Sequence, residues 1–131
     1  MLVDSNVLLD LFTNDPDWAP WSREQLERAA SRTQILINDV IYSEISIRFS
    51  SMRAADDALG RADIVLAAMP RQALFQAGKS YRRYRAIGGT KTGVLPDFFI
   101  GAHAMVAGLP LLTRDARRYR TYFPEVALIT P

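Results

Sequence analysis

Apolar residues fall along the chain in short runs that switch between two periods, and that switching predicts the architecture. Leu2-Val3 is a brief apolar run ending at Asp4, after which Val7-Leu8-Leu9 and Leu11-Phe12 continue at helical spacing until Asn14-Asp15-Pro16 stops them. A strand hands over to a helix. Over residues 20–32 a Glu/Arg-rich segment keeps only Trp21, Leu26 and Ala29 as apolar positions, the pattern of an exposed amphipathic helix. Gln34-Ile35-Leu36-Ile37 is a β-branched run closed by Asn38-Asp39, both good helix caps, and Val40, Ile41, Ile45 and Phe49 follow at helical spacing. A short helix over 54–59 and an extended Ile64-Val65-Leu66 come next. Pro70 opens a long helix that Gly88-Gly89 stops after Ile87. A loop over 90–95 leads to Pro96, which opens a helix of small residues over 97–107 ended by Gly108. Residues 109–113 and 126–130 read as the last two strands. Strands alternating with helices, without repeat or linker, predict one domain over 1–131: a three-layer α/β/α sandwich around a mainly parallel sheet.

Composition narrows this without changing it. With 131 residues, 49% hydrophobic and 23% charged, the chain suits one domain able to bury roughly two-thirds of its unfolded surface. Seven Gly, seven Pro and no low-complexity tract exclude disordered and fibrous classes. The absence of cysteine excludes a disulfide scaffold, a zinc ribbon, an iron–sulfur cluster and a thiol nucleophile. Met1-Leu2-Val3-Asp4 puts a carboxylate where a signal peptide carries basic residues, and the longest uncharged stretch, 98–113, is shorter than the ~20 residues of a bilayer span. The expectation is a cytoplasmic protein with no membrane partner. Charge is divided unevenly: residues 1–65 carry six Lys/Arg against eleven Asp/Glu, and residues 66–131 carry ten against three. Lys79, Arg82, Arg83, Arg85, Lys91, Arg114, Arg117, Arg118 and Arg120 offer either a solvated helix face or a surface for a polyanion such as nucleic acid.

Several motifs are decoys. Gly78-Lys79-Ser80 resembles the end of a phosphate-binding loop, but Ala73 stands where that loop requires glycine and the segment is helix interior. Gly88-Gly89-Thr90-Lys91-Thr92-Gly93 follows no strand, which makes it a helix stop and mobile loop. His103, the single histidine, lies mid-helix without partners for a triad or a zinc site, so packing or a supporting hydrogen bond is its expected role. Trp18, Trp21 and the Tyr81-Arg82-Arg83-Tyr84 tyrosines suit core or partner contacts better than base stacking.

The acids are harder to dismiss. Asp4 follows a strand and opens a helix, where simple capping is the bland explanation. Glu44 has Val40, Ile41, Ile47 and Arg48 as helical neighbours, which sets its carboxylate on or beside an apolar stripe. Asp97 is wedged between Pro96 and Phe98-Phe99-Ile100, and Asp115 follows Leu111-Leu112-Thr113-Arg114 at a strand exit. In an open α/β sheet ligands bind outside the carboxyl ends of the strands, where Asp4 and Asp115 emerge and the helices bearing Glu44 and Asp97 begin. Four carboxylates without His or Cys make an all-oxygen set that suits Mg²⁺, with Mn²⁺ able to substitute. Such ions activate water and clamp phosphodiester oxygens.

Val3-Asp4-Ser5-Asn6, Ile41-Tyr42-Ser43-Glu44-Ile45, Pro96-Asp97-Phe98-Phe99-Ile100-Gly101-Ala102-His103-Ala104 and Leu111-Leu112-Thr113-Arg114-Asp115 occur in an order and spacing that resembles PIN-domain ribonucleases, and within them the VapC-type toxins of toxin–antitoxin pairs. The resemblance spans essentially the whole chain. It implies that the family's acidic quartet falls on Asp4, Glu44, Asp97 and Asp115, with Ser5, Asn6 and Thr113 as supporting polar groups. It further implies a homodimer, Mg²⁺-dependent endonucleolysis of RNA, and inhibition by a small VapB-like antitoxin. The expected roles are metal ligation by Asp4, Glu44 and Asp97, support from Asp115, and neutralisation of phosphate charge by Arg114 or a neighbouring arginine.

Residues 79–85, 90–95 and 117–120 match no substrate motif. Rival readings are a non-toxin PIN-family RNA-processing nuclease, a receiver domain or aspartyl-phosphate phosphatase, and a silent RNA-binding or assembly module whose acids cap helices and pair with arginine. The phosphatase requires a second acid two residues after the first, where this chain has Asn6, and the receiver's lysine near a late strand is absent.

Overall fold

Five short strands carry the apolar runs to the centre of the molecule in the computed structural model, which describes residues 1–131. They are β1 (Leu2–Val3), β2 (Ile35–Ile37), β3 (Ile64–Leu66), β4 (Leu111–Leu112) and β5 (Leu128–Ile129), joined in one sheet of order β3-β2-β1-β4-β5. All four pairings are parallel, with Leu2 opposite Leu36 and Leu111, Ile35 opposite Ile64, and Leu111 opposite Leu128. The sheet is therefore wholly parallel. Leu2, Val3, Leu111 and Leu112 are fully buried, as strands covered on both faces must be.

Seven helices surround the sheet: α1 (Ser5–Phe12), α2 (Ala19–Ala30), α3 (Asp39–Ser46), α4 (Met52–Arg61), α5 (Arg71–Ala86), α6 (Pro96–Ala107) and α7 (Arg117–Tyr122). The chain runs from β1 outward to β2 and β3, then returns to place β4 on the other side of β1. The strand order thus reverses between β1 and β4, and a crevice at their carboxyl ends follows from the topology. No helix is long and apolar enough to cross a membrane.

α6 is apolar nearly all round, with Phe98, Ile100, Gly101, Ala102 and Ala104 buried, and it packs against α3, α5 and α7. Gly101 is required there, because a Cβ would stand 2.2 Å from Cδ2 of the Phe123 ring. The helix ends as its sequence predicts, at Gly108 with φ +63°.

The differences from the sequence reading have physical causes. The apolar pattern does not predict α7: Arg117-Arg118-Tyr119-Arg120-Thr121-Tyr122 offers only two apolar positions, Tyr119 and Tyr122, and both are buried by tertiary contact. α3 stops at Ser46 and does not reach Phe49, whose ring instead meets Phe12 edge-on at 5.1 Å. α4 extends beyond the expected 54–59 at both ends, because Ser51 caps it by accepting from the Ala54 amide. β4 and β5 keep only two residues each of the longer apolar runs. Gly78-Lys79-Ser80 lies inside α5. The segment after α5 meets the helix through side-chain hydrogen bonds: the Tyr81 hydroxyl accepts from the Gly93 amide at 2.8 Å, and Arg85 donates to the Gly89 carbonyl at 3.1 Å.

Candidate active site

Asp4 takes the N-cap position of α1 but makes no capping hydrogen bond. Its carboxylate is 4% exposed and turns across the sheet instead. Oδ2 accepts from Thr113 Oγ1 at 2.7 Å, Tyr119 Oη at 3.0 Å and Asn6 Nδ2 at 3.2 Å, while Oδ1 has only a long 3.4 Å contact with Ser5 Oγ. Asn6 and Thr113 are themselves joined, and the Asn6 carbonyl oxygen accepts from the Arg114 amide at 3.1 Å. The exits of β1 and β4 are stitched together by these side chains, with one oxygen of Asp4 saturated by donors and the other nearly free.

Ser5 links this group to α3, donating to Glu44 Oε2 at 2.7 Å. Glu44 is half-buried on the helix face turned toward the start of α1, as its place beside the apolar stripe predicts. Asp97, in the first turn of α6, accepts from Arg118 at 3.1 Å through Oδ2. Asp115 is exposed: its Oδ1 accepts from the Arg117 amide at 3.1 Å, and it shares an open cavity of about 410 Å³ with Asp97, Tyr84, Arg117, Arg118 and Thr121. The structure therefore gathers Asp4, Glu44 and Asp97 into mutual electrostatic range and sets Asp115 beside Asp97, while Asp115 also behaves as a local turn-former at the start of α7.

Burial is the main force on the first three carboxyls. It pushes Asp4 above the ordinary range against its hydrogen bonds from Thr113 and Tyr119, and the charge of Asp97 adds to the rise. Glu44 is raised by burial and by Asp4 and Asp97, against the Ser5 hydrogen bond. Asp97 is raised by burial and by Asp115, against Arg118 and Tyr119. Carboxylates that raise one another in this way are short of positive charge. The Tyr119 hydroxyl, held well above the usual phenol range by burial and then by Asp4, Asp97 and Glu44, stays protonated and serves as a donor.

No three His, Asp or Glu side chains stand in an arrangement that encloses an ion. The donor chemistry fits a hard divalent cation all the same: hydrogen bonds leave Asp4 Oδ1 nearly free and Glu44 Oε1 without a protein donor, and only one guanidinium offsets the group.

That guanidinium belongs to Arg118, which the sequence distinguished only as one of many cations. Arg114 is placed differently from the phosphate-facing role expected of it. Its Nε stands 2.9 Å from Oδ2 of buried Asp10, an oxygen that also accepts from Ser22 at 2.6 Å, and its guanidinium lies 4.9 Å from the Trp18 ring centroid. This pairing anchors α1, α2 and the β4 exit to one another. Arg83 and Arg85 likewise donate to carbonyls of the chain, whereas Arg117 and Arg120 on α7 stand exposed, as do Lys79 and Arg82 on α5 and Lys91 in the loop after it. Trp21 and Leu26 are half-buried and pack against the core. His103 is buried and meets the Asn38 side chain at 3.1 Å. Since Asn38 Oδ1 accepts from the Ile41 amide, its Nδ2 donates to His103 Nδ1, and the ring is neutral with its proton on Nε2. Burial lowers its pKa in keeping with this.

Tyr119 is the site residue that sequence reasoning missed. Its signal was weak, a tyrosine three residues before Tyr122 in a basic stretch, indistinguishable from ordinary packing.

The fold has counterparts among known proteins. The PIN-domain family model matches residues 1–124. No curated protein matches the chain. Among solved structures, VapBC2 from Rickettsia felis bound to a promoter DNA fragment superposes with a TM-score of 0.74 at 16% identity, covering 99% of this chain and 97% of that one. VapBC-1 from nontypeable Haemophilus influenzae gives 0.72 at 14%, covering 98% and 96%. A toxin-antitoxin complex from Klebsiella pneumoniae gives 0.71 at 21%, covering 99% and 96%. At these identities the likeness is one of fold.

Proposed function

The chain belongs to the PIN-domain family, and from that premise we propose that it is a Mg²⁺-dependent endoribonuclease acting as the toxin of a type II toxin–antitoxin pair, with Mn²⁺ able to replace Mg²⁺. The observation that carries the reading is the convergence of Asp4, Glu44 and Asp97, from three separate segments, at the point where strand order reverses, with Asp97 raising the pKa of both Asp4 and Glu44 and Asp4 raising that of Glu44. Held by these three with Asp115 alongside, the ion supplies Lewis-acid activation of water and neutralises charge at a phosphodiester.

The chain's own residues do the rest. Thr113, Asn6 and Tyr119 fix Asp4 through Oδ2, so that Oδ1 faces the ligand. Ser5 orients Glu44 by the same means. Arg117, which lines the cavity of Asp97 and Asp115, and Arg120, which lines the adjoining one with Arg114 and Arg117, draw the sugar–phosphate backbone toward the acids. The reading requires no covalent intermediate, because water activated by the ion would be the attacking group.

A small VapB-like antitoxin is the proposed protein partner, supported by the toxin–antitoxin complexes among the structural neighbours. A homodimer is proposed with it, supported by the exposed Leu74 and Phe75 on α5. The rival reading, a silent RNA-binding module, draws its support from the Arg118–Asp97 ion pair, the acid–arginine pairing such a module requires.

Cleavage of a mixed-sequence RNA separates the two. The nuclease reading expects cuts with Mg²⁺ or Mn²⁺, none after chelation by EDTA, and a fall of more than about 100-fold in Asp97→Asn, beyond what outer-shell partners of a metal typically cost. Cleavage that survives EDTA, or an Asp97→Asn protein that cuts at the normal rate, refutes it.

A further inference from the structure

We propose that Arg118 competes with the divalent cation for Asp97: it supplies the site's positive charge when the ion is absent and, once displaced, binds a phosphate of the RNA. The inference deepens the metal-nuclease reading and rests on it.

Four observations carry it. Arg118 reaches Asp97 by a single contact, Nη1 to Oδ2 at 3.1 Å, and not by the two-pronged fork that makes arginine–carboxylate pairs durable. The two side chains are 35% and 36% exposed, so water screens the pair and leaves it exchangeable. The carboxylate beneath shares its open cavity with a second one, Asp115, so a single guanidinium contact does not match the negative charge gathered there. Finally, Arg118 already faces a place for a phosphate: its guanidinium carbon lies 5.7 Å from the centroids of Tyr84 and Phe98 at the wall of an open cavity that also holds Arg117 and Thr121, donors suited to a phosphate.

A dication at Asp97 and a guanidinium on the same carboxylate repel each other. Ion binding therefore weakens the Arg118–Asp97 pair. By reciprocity, a phosphate that engages Arg118 removes the competitor and tightens the ion. Metal and RNA then bind cooperatively through one side chain, and the metal-free protein keeps its acids partly neutralised. This differs from a fixed structural ion pair, for which the ion and the phosphate act independently.

Calorimetric titration with Mn²⁺ alone, on the full chain, tests the proposal without relying on cleavage. Arg118→Gln is expected to bind Mn²⁺ roughly two- to fivefold more tightly than the unaltered protein, the factor that loss of a half-exposed competing pair delivers. Arg118→Lys, which keeps the charge, is expected to stay near the unaltered value. A short single-stranded DNA oligonucleotide, as an uncleaved phosphate probe, is expected to tighten Mn²⁺ in the unaltered protein and to have no such effect in Arg118→Gln. Equal or weaker Mn²⁺ binding by Arg118→Gln, with the unaltered protein binding Mn²⁺ and Asp97→Asn failing to, overturns the Arg118 proposal and leaves the nuclease reading intact. Failure of both the unaltered protein and Arg118→Gln to bind Mn²⁺ overturns the two together.

Discussion

Glu44 illustrates how a single side chain is set against the fold that holds it. Burial and the charges of Asp4 and Asp97 raise its carboxyl above the ordinary value near 4.5, while Ser5 pulls it back. A carboxyl whose folded pKa exceeds its unfolded one binds protons more tightly in the native state. Its contribution to stability is therefore greatest below the unfolded value, declines as pH rises through the raised folded value, and stays low above it. Glu44→Gln keeps an acceptor for Ser5 and removes the charge. In metal-free thermal melts its advantage over the unaltered protein is expected to grow from about pH 4 to about pH 7, reaching roughly 2–4 °C, with cleavage lost, the usual exchange between stability and activity. An advantage that is flat or shrinks with pH contradicts this electrostatic account. The acids were legible one by one, because each stands where an apolar pattern makes a charge conspicuous. Tyr119 was not, because only its distant neighbours Asp4 and Asp97 distinguish its hydroxyl from that of a packing tyrosine.

Two helices show why local pattern decides some features and tertiary contact others. Gly78 lies in α5 with nothing within 4 Å of where a Cβ would stand, so Gly78→Ala is expected to stabilise by about 1 kcal/mol through helix propensity alone. Gly101 in α6 has the same helical context, yet its missing Cβ is the space the Phe123 ring fills. Gly101→Ala is expected to destabilise by about 1–3 kcal/mol, as overpacked cores do. Urea unfolding of the pair checks the opposite signs, and a stabilised Gly101→Ala protein would contradict the close approach of Phe123 to α6. The same contrast accounts for what could be read beforehand. Helices with a long apolar period and a clear stop, α5 and α6, were legible to within a residue or so. α7 was not, since six residues with two tyrosines become a helix only by packing against the rest of the molecule.

At the scale of the whole molecule, sheet order does the assembling. Placing β4 beside β1 brings Thr113 to Asp4 across more than a hundred residues, a juxtaposition that no local pattern encodes and that the rule for strand ends in an open α/β sheet, together with the family resemblance, suggested beforehand. The charge division was visible in the sequence, but its meaning changed on folding, because Arg83, Arg85 and Arg114 serve internal contacts. The exposed cations left for a polyanion include Lys79 and Arg82 on α5, Lys91, and Arg117 and Arg120 on α7, of which Arg117 lines the cavity that holds Asp97 and Asp115. Arg117→Gln combined with Arg120→Gln is expected to weaken binding of single-stranded RNA similarly for all sequences and to reduce the salt dependence by about 0.7 per arginine in a log–log plot. An unchanged slope would remove α7 from the RNA surface.

The central claim is that Asp4, Glu44 and Asp97 share one divalent cation, and anomalous diffraction from Mn²⁺-soaked crystals tests it most directly. The account predicts a strong anomalous peak among these three carboxylates, with Arg118 moved off Asp97. Crystals with Mn²⁺ bound elsewhere, or with none between Asp4, Glu44 and Asp97 under conditions that support cleavage, would contradict it.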